Sequence, residues 1–110
     1  MRKRSLICPD LPYILYNINV NFEWDERKSD ANRDKHGITF EKAKSLWLDE
    51  SRIEIEAPHP VEERRIPIAR LHGKLWTAVY TVRSESTIRI ISVRRSRERE
   101  AALYEKERTG

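Results

Sequence analysis

The chain has 110 residues and a mass of 13.1 kDa, which fits one small domain. One cysteine, three glycines and no apolar run near the ~18 residues of a membrane span argue against a disulfide-rich, collagen-like or membrane-spanning protein. Charged residues make up 36% of the sequence, but the apolar residues occur in patterned runs, which argues against disorder. We therefore predict a cytoplasmic domain in which Cys8 is a free thiol.

Metal-ligand spacing is absent from the sequence. Cys8 stands alone, and the three histidines, His36, His59 and His72, are scattered at intervals that match no zinc site. We expect no metal and no cofactor, so any catalysis would be metal-independent.

The positive charge is concentrated in the second half of the chain. Residues 1–55 hold ten basic and ten acidic residues, whereas residues 64–99 hold ten basic and two acidic. Nine of these ten are arginine, whose planar guanidinium matches phosphate bidentately. A sheet face whose basic side chains are simply solvated would also show this excess of basic over acidic residues. The surplus of eight therefore leaves a polyanion partner and a merely solvated surface both open.

The N-terminal part of the chain divides into an arm and the start of the body. We expect residues 1–19 to form an arm that is disordered, a start-site artefact or a true extension. A single domain then covers residues 20–110. Within residues 17–24, polar and apolar side chains alternate, which is typical of a strand.

Two helices are predicted next. Asp25 is a suitable N-cap for a helix that runs toward His36, with Gly37 as its C′ residue. Thr39 is the N-cap of a second helix, which has one apolar face and ends near Asp49.

The second half has a period of two, which predicts four strands joined by short turns at residues 53–56, 63–70, 75–83 and 87–95. Pro67 indicates that the second of these is an edge strand. Ser96 can cap a final helix that ends near residue 108. The predicted class is α+β, a curved antiparallel sheet with two N-terminal helices on one face and a C-terminal helix. Part of the other face would be open, although the sequence does not fix which arginines line it.

A basic surface that carries His, Lys, Tyr and Arg has the groups that RNA cleavage needs. The 2′-hydroxyl must lose a proton, the 5′-oxygen must gain one, and the phosphorane charge must be neutralised. His36 suits acid or base catalysis, although with Lys35 it could simply interact with the helix C-terminal carbonyls. Tyr80 lies in a central strand, where a tyrosine is more often part of the core than a proton donor.

Several motifs together resemble the BrnT family of toxins of type II toxin–antitoxin systems. They include Phe22-Glu23-Trp24-Asp25, the segment Lys35 to Phe40 with sequence KHGITF, and the segment Arg89 to Ser92 with sequence RIIS. The resemblance covers residues 20–104, in family order and spacing. It implies a RelE-like fold and an endoribonuclease that halts translation, acting on RNA that is free or on the ribosome. It also implies a BrnA-like antitoxin that binds operator DNA, in a heterotetramer of two toxins and two antitoxins.

The residues that match the family motifs are the candidate site. In this interpretation Arg64 and Arg94 hold phosphate, and proton transfer or charge stabilisation falls to His36, Lys35 and Tyr80. The candidate RNA-binding residues are Lys28, Arg83, Arg89 and Arg95. The alternative is a non-catalytic module that binds RNA or a partner through the same basic face.

Overall fold

A computed structural model describes residues 21–57 and 61–109, with the backbone alone for 108 and 109. The predictions for the N-terminal arm, Cys8 and His59 lie outside these residues. The elements, in chain order, are strand β1 (Asn21–Glu23), helices α1 (Glu26–His36) and α2 (Phe40–Ala43), a 3₁₀ turn (Lys44–Leu48), strands β2 (Ile53–Ala57), β3 (Arg64–Leu71), β4 (Lys74–Ser84) and β5 (Thr87–Arg95), and helix α3 (Glu98–Thr109).

The five strands form one mixed sheet in the order β1-β5-β4-β3-β2. Strands β2 to β5 make the predicted antiparallel meander. Strand β1 instead pairs in parallel with β5, with Asn21 opposite Thr87. The α+β class is confirmed, but the sheet is not wholly antiparallel. The hairpins were predicted from patterns in neighbouring residues. The β1–β5 pair joins segments more than 60 residues apart in the sequence, so no such pattern indicates it.

The prediction that Pro67 marks an edge strand is wrong, because β3 lies between β2 and β4. The β3–β4 pairing runs through Arg65 opposite Tyr80 and resumes with Ile68 opposite Thr77. Pro67 falls in the gap between these pairs, where the β3–β4 ladder is interrupted, and it lies opposite Glu54 in the β2–β3 ladder.

The predicted helix signals around Gly37 are confirmed. The Asp25 side chain accepts a hydrogen bond from the Arg27 N–H at 2.9 Å, and Gly37 has a φ of 81° and donates its N–H to the Arg33 carbonyl. Thr39 caps the second helix by accepting from the Lys42 N–H at 3.1 Å. These caps fix the turn that brings α2 under the sheet.

Helix α1 is held by polar side chains, because its only buried residues are Ser29 and Asn32. The Asn32 amide donates to the Ile38 carbonyl at 2.9 Å and accepts from the Val93 N–H at 3.1 Å. The Ser29 hydroxyl accepts from the Phe40 N–H at 3.0 Å. Because Val93 belongs to β5, these bonds lay α1 along that strand, beyond the short β1.

The core has two parts, one on each face of the sheet. The larger packs α2 and the 3₁₀ turn, with Phe40 and Trp47, against inward residues of the central strands such as Tyr80. The smaller packs Tyr104 of α3 against Ile53 and Ile68. None of the helices described here is long and apolar enough to cross a membrane.

Candidate functional site

The sheet face that carries α3 at one end is open at the other end. Side chains alternate along a strand, so the register decides which residues share this face. Thr81 lies opposite Arg89, and Arg89 lies beside Glu23. Because Arg65 lies opposite Tyr80, Arg64 lies beside Thr81. We call the four residues that cross the sheet here, Arg64, Thr81, Arg89 and Glu23, the arginine row.

Ion pairs connect the arginine row to its neighbours. One oxygen of Glu23, Oε2, lies 2.9 Å from Nη1 of Arg89 and 3.5 Å from Nε of Arg83. Arg64 contacts Glu62 at 3.4 Å. All of these side chains keep about a third or more of their surface exposed, from 33% for Glu62 to 52% for Arg83. These guanidinium groups can therefore be reached by an anionic ligand.

A cleft of about 530 Å³, open to solvent, lies at this end of the sheet. The buried Thr81 is one of its lining residues, and its hydroxyl donates to the Glu63 carbonyl at 2.8 Å, which ties β4 to the residue before β3. The residues that line the cleft are Glu62, Glu63, Arg65, Thr81, Val82 and Arg83.

Arg94 lies two steps further along the open face, opposite Thr77, and there α3 covers the sheet. The two oxygens of Glu100 accept from its guanidinium at 2.8 and 2.7 Å. This hydrogen bonding, with further bonds from the Arg97 N–H and the Thr77 hydroxyl, lowers the pKa of Glu100 to about 2. The predicted phosphate ligand Arg94 thus has an internal carboxylate partner, which holds α3 to β5.

Tyr80 is fully buried, on the opposite face from the arginine row. Its hydroxyl donates to Glu54, which also pairs with Arg52 at 3.1 Å. Burial, followed by the charge and hydrogen bond of Glu54, raises the pKa of Tyr80. The structure therefore places this predicted proton donor in the core, where it does not meet the arginine row.

The remaining predicted residues lie apart from the row. Lys28 and Lys35 are exposed on α1, and His36 is half-buried at its end. Within residues 21–57 and 61–109, the His36 side chain has no hydrogen bond or ion pair. Arg95 is at the end of β5, with its guanidinium 5.6 Å from the Trp76 ring centroid.

The structure thus brings together Arg64, Arg83 and Arg89 of the predicted residues. The candidate site residues did not include Glu23, which contacts Arg83 and Arg89, or Thr81, which lies between Arg64 and Arg89 in the sheet. Glu23 belongs to an alternating segment, but no local signal indicates that this segment lies beside β5. In the part of the chain described, no three or more His, Cys, Asp or Glu side chains are grouped so that they could hold a metal.

A protein-family model described as "Ribonuclease toxin, BrnT, of type II toxin-antitoxin system" matches residues 24–100. The chain belongs to the BrnT family. This confirms the family that the motifs predicted. It also implies an antitoxin partner, since toxins of type II systems are paired with one.

The crystal structure of the Brucella abortus ribonuclease toxin BrnT, at 1.1 Å resolution, is similar in fold to this BrnT-family chain. The TM-score is 0.56 at 21% sequence identity, and the match covers 72% of this chain and 99% of the Brucella chain. No curated protein sequence matches significantly. At this identity the structural match supports the fold.

Proposed function

We propose that this BrnT-family chain is a metal-independent endoribonuclease that cleaves RNA at the arginine row and thereby inhibits translation. One observation carries the proposal: Arg83 lines an open cleft, Arg64 and Arg89 lie on neighbouring strands at the same end of the sheet, and all three keep about a third to a half of their side-chain surface exposed. Three fixed cations on one face suit a substrate that carries a phosphate at every nucleotide.

The arginines have two tasks in this proposal. Their planar forks bind the phosphates that flank the scissile bond. They also neutralise the charge that grows on the phosphorane, which is where an electrostatic contact accelerates the reaction. The ion pairs with Glu23 and Glu62 leave other N–H groups of each guanidinium for the substrate, because arginine has five donors.

For Arg94 we propose a structural task in place of the phosphate contact that the sequence predicted. Its two bonds to Glu100 would have to break before it could bind phosphate in the same way. We assign it to holding α3, next to the row. Proton transfer by His36 and Lys35, as the sequence suggested, is the alternative that the His36 variant described below tests.

The proposal is tested by incubating the purified chain with end-labelled RNA in EDTA, with and without ribosomes. We expect cleavage, and a rate roughly 10- to 100-fold lower for Arg64→Ala and Arg89→Ala, since a lost charge-assisted contact costs about 1.5–3 kcal/mol. Arg33→Ala is the control, because this arginine is exposed on α1 and its ion pairs within the described residues are with its neighbours Asp30 and Asp34.

Binding of RNA without cleavage under every condition would instead identify a non-catalytic RNA-binding module. In cells, expression of the chain alone should arrest growth and stop incorporation of labelled amino acids. Arg64→Ala should relieve both effects while the protein remains folded by circular dichroism.

We also propose that a BrnA-like antitoxin neutralises the chain by covering the arginine row with acidic and apolar side chains. Association should then slow with added salt, because steering is screened over about 8 Å at physiological ionic strength. Light scattering on the co-expressed pair should give two toxins and two antitoxins. A 1:1 pair would contradict this assembly.

A further inference from the structure

Glu23 is the carboxylate of the arginine row. It stands in β1 at the edge of the sheet, next to Arg89 of β5, and its Oε2 also lies 3.5 Å from Nε of Arg83 in β4, the strand beyond β5. These two arginines are the charged groups that face it from the strands described around it. Its side chain is 39% exposed, so one end of the row presents an accessible carboxylate flanked by two cations.

We propose that Glu23 is the general base of the RNA cleavage, an inference that rests on the proposed ribonuclease function. Cleavage of RNA by its own 2′-hydroxyl needs a proton acceptor beside the cations that hold the phosphate. Glu23 meets this requirement because the guanidinium groups that contact it can also contact the phosphate. The same contacts fix the carboxylate on a strand, so its position does not depend on a loop.

The other candidate bases fit the row less well. Tyr80 is buried on the opposite face and donates to Glu54. His36 ends α1, four residues beyond Asn32, which contacts Val93 and not Arg89. Glu62 contacts one arginine, Arg64, from the segment before β3, whereas Glu23 contacts two.

The reaction balances without an added reactant. The Glu23 carboxylate takes the proton of the ribose 2′-hydroxyl, and the 2′-oxygen forms a bond to phosphorus. The bond between phosphorus and the 5′-oxygen breaks, and that oxygen takes a proton from water of the open cleft. The hydroxide so formed takes the proton from the Glu23 carboxyl group. The products are a 2′,3′-cyclic phosphate and a 5′-hydroxyl, while Arg83 and Arg89 neutralise the phosphorane.

The test compares wild type, Glu23→Gln and Glu23→Asp in single-turnover cleavage of labelled RNA. Glutamine keeps the shape and an oxygen for Arg89 but is not a base. Glu105→Gln is the matched control, because Glu105 pairs with Arg70 at 2.8 Å and is 44% exposed, on α3 and away from the row. Affinity is measured separately with RNA whose riboses are 2′-O-methylated and therefore lack the nucleophile.

We expect Glu23→Gln to lower the cleavage rate roughly 10²–10⁴-fold, the usual effect of losing a general base. RNA affinity should be unchanged or slightly higher, because a negative charge is removed. Glu23→Asp, which keeps a carboxylate, should retain more of the rate than Glu23→Gln, and the wild-type product should carry a 5′-hydroxyl.

A cleaving wild type with a Glu23→Gln rate within tenfold would overturn the role of Glu23 and leave the ribonuclease proposal standing. Equal losses of rate and affinity would overturn it too, because they would show a positioning effect on the arginines. If the wild-type chain cleaves no RNA with or without ribosomes, both proposals fail.

Discussion

At the scale of single residues, the burial of Tyr80 predicts that its hydroxyl contributes to the stability of the fold and not to the cleavage of RNA. Its hydroxyl is bound to Glu54 inside the core, so Tyr80→Phe removes a hydrogen bond to a buried carboxylate that Arg52 still contacts. We expect the free energy of unfolding to fall by about 1–3 kcal/mol in urea titrations. Cleavage by the folded variant should stay near the wild-type rate. A folded Tyr80→Phe protein that has lost activity would show that this hydroxyl takes part in the reaction.

The position of His36 predicts that its substitution has a small effect on the rate of RNA cleavage. Asn32 places α1 beside Val93, and His36 lies four residues further along the helix, about 6 Å along its axis. Arg89 lies four residues from Val93 along β5, about 13 Å away, on a strand where Asn32 of α1 contacts Val93. His36→Gln should therefore change the cleavage rate less than tenfold. A fall of 10² or more, with RNA affinity intact, would assign proton transfer to His36 as the sequence suggested.

The candidate residues show what a single sequence can establish about a site. Arginines on alternating strand positions were visible, and Arg64, Arg83 and Arg89 were among those named. Their grouping depends on the register, since a shift by one residue moves a side chain to the other face. Tyr80 lay on the other face for this reason. Glu23 could not be predicted, because its place depends on pairing with a strand at the far end of the chain.

At the scale of elements, Glu100 holds α3 against the sheet. It accepts from Arg94 and Thr77 of the strands and from the Arg97 N–H at the start of its own helix. Ser96, the predicted cap, instead bonds to Thr77 at 2.8 Å. A glutamate three residues after the N-cap can satisfy the free N–H groups there, and this position also suits the helix dipole.

This arrangement predicts an acid-sensitive α3. The pKa of Glu100 is about 2 in the folded chain, below its ordinary value of 4.5. Its contribution to stability is therefore complete above about pH 4.5 and is lost as pH falls toward 2. Glu100→Gln should lower the free energy of unfolding by about 2 kcal/mol at pH 7 and reduce the loss of stability between these pH values. Thermal unfolding from pH 2 to 7 measures both.

The control for α3 is Glu98→Gln, since Glu98 is exposed in the first turn of the same helix. It should change stability by a few tenths of a kcal/mol, the size of an exposed helix-dipole contact. If both variants lose the same stability, or if the acid dependence of Glu100→Gln equals that of wild type, the contacts of Glu100 do not hold α3.

At the scale of the whole molecule, folding reduces the charge that RNA can meet. The segment 64–99 carries ten basic and two acidic residues, yet acidic residues outside that segment are paired with several of them. Glu100 pairs with Arg94, Glu105 pairs with Arg70, and Glu56 approaches Arg65 at 3.5 Å. The sequence showed the surplus but not its distribution, because these pairs depend on where α3 and β2 lie. Of the seven other basic residues, Arg64, Arg83 and Arg89 lie at the end of the sheet with the cleft, where their partners Glu62 and Glu23 leave them about a third to a half exposed.

The salt dependence of RNA binding shows how many phosphates the basic residues of the chain contact. For single strands, log K falls with log salt with a slope of about −0.7 for each phosphate neutralised. Contacts from the three arginines predict a slope near −2, whereas contacts from all ten basic residues of segment 64–99 would give a slope near −7. Fluorescence anisotropy with 2′-O-methylated RNA from 50 to 300 mM salt measures the slope, and Arg89→Ala should make it shallower by about 0.7. Arg70→Ala, which removes an arginine paired with Glu105 on α3, should leave the slope unchanged. A slope near −7 in wild type, or an equal change in both variants, would mean that RNA spreads over the basic surface without a site at the arginine row.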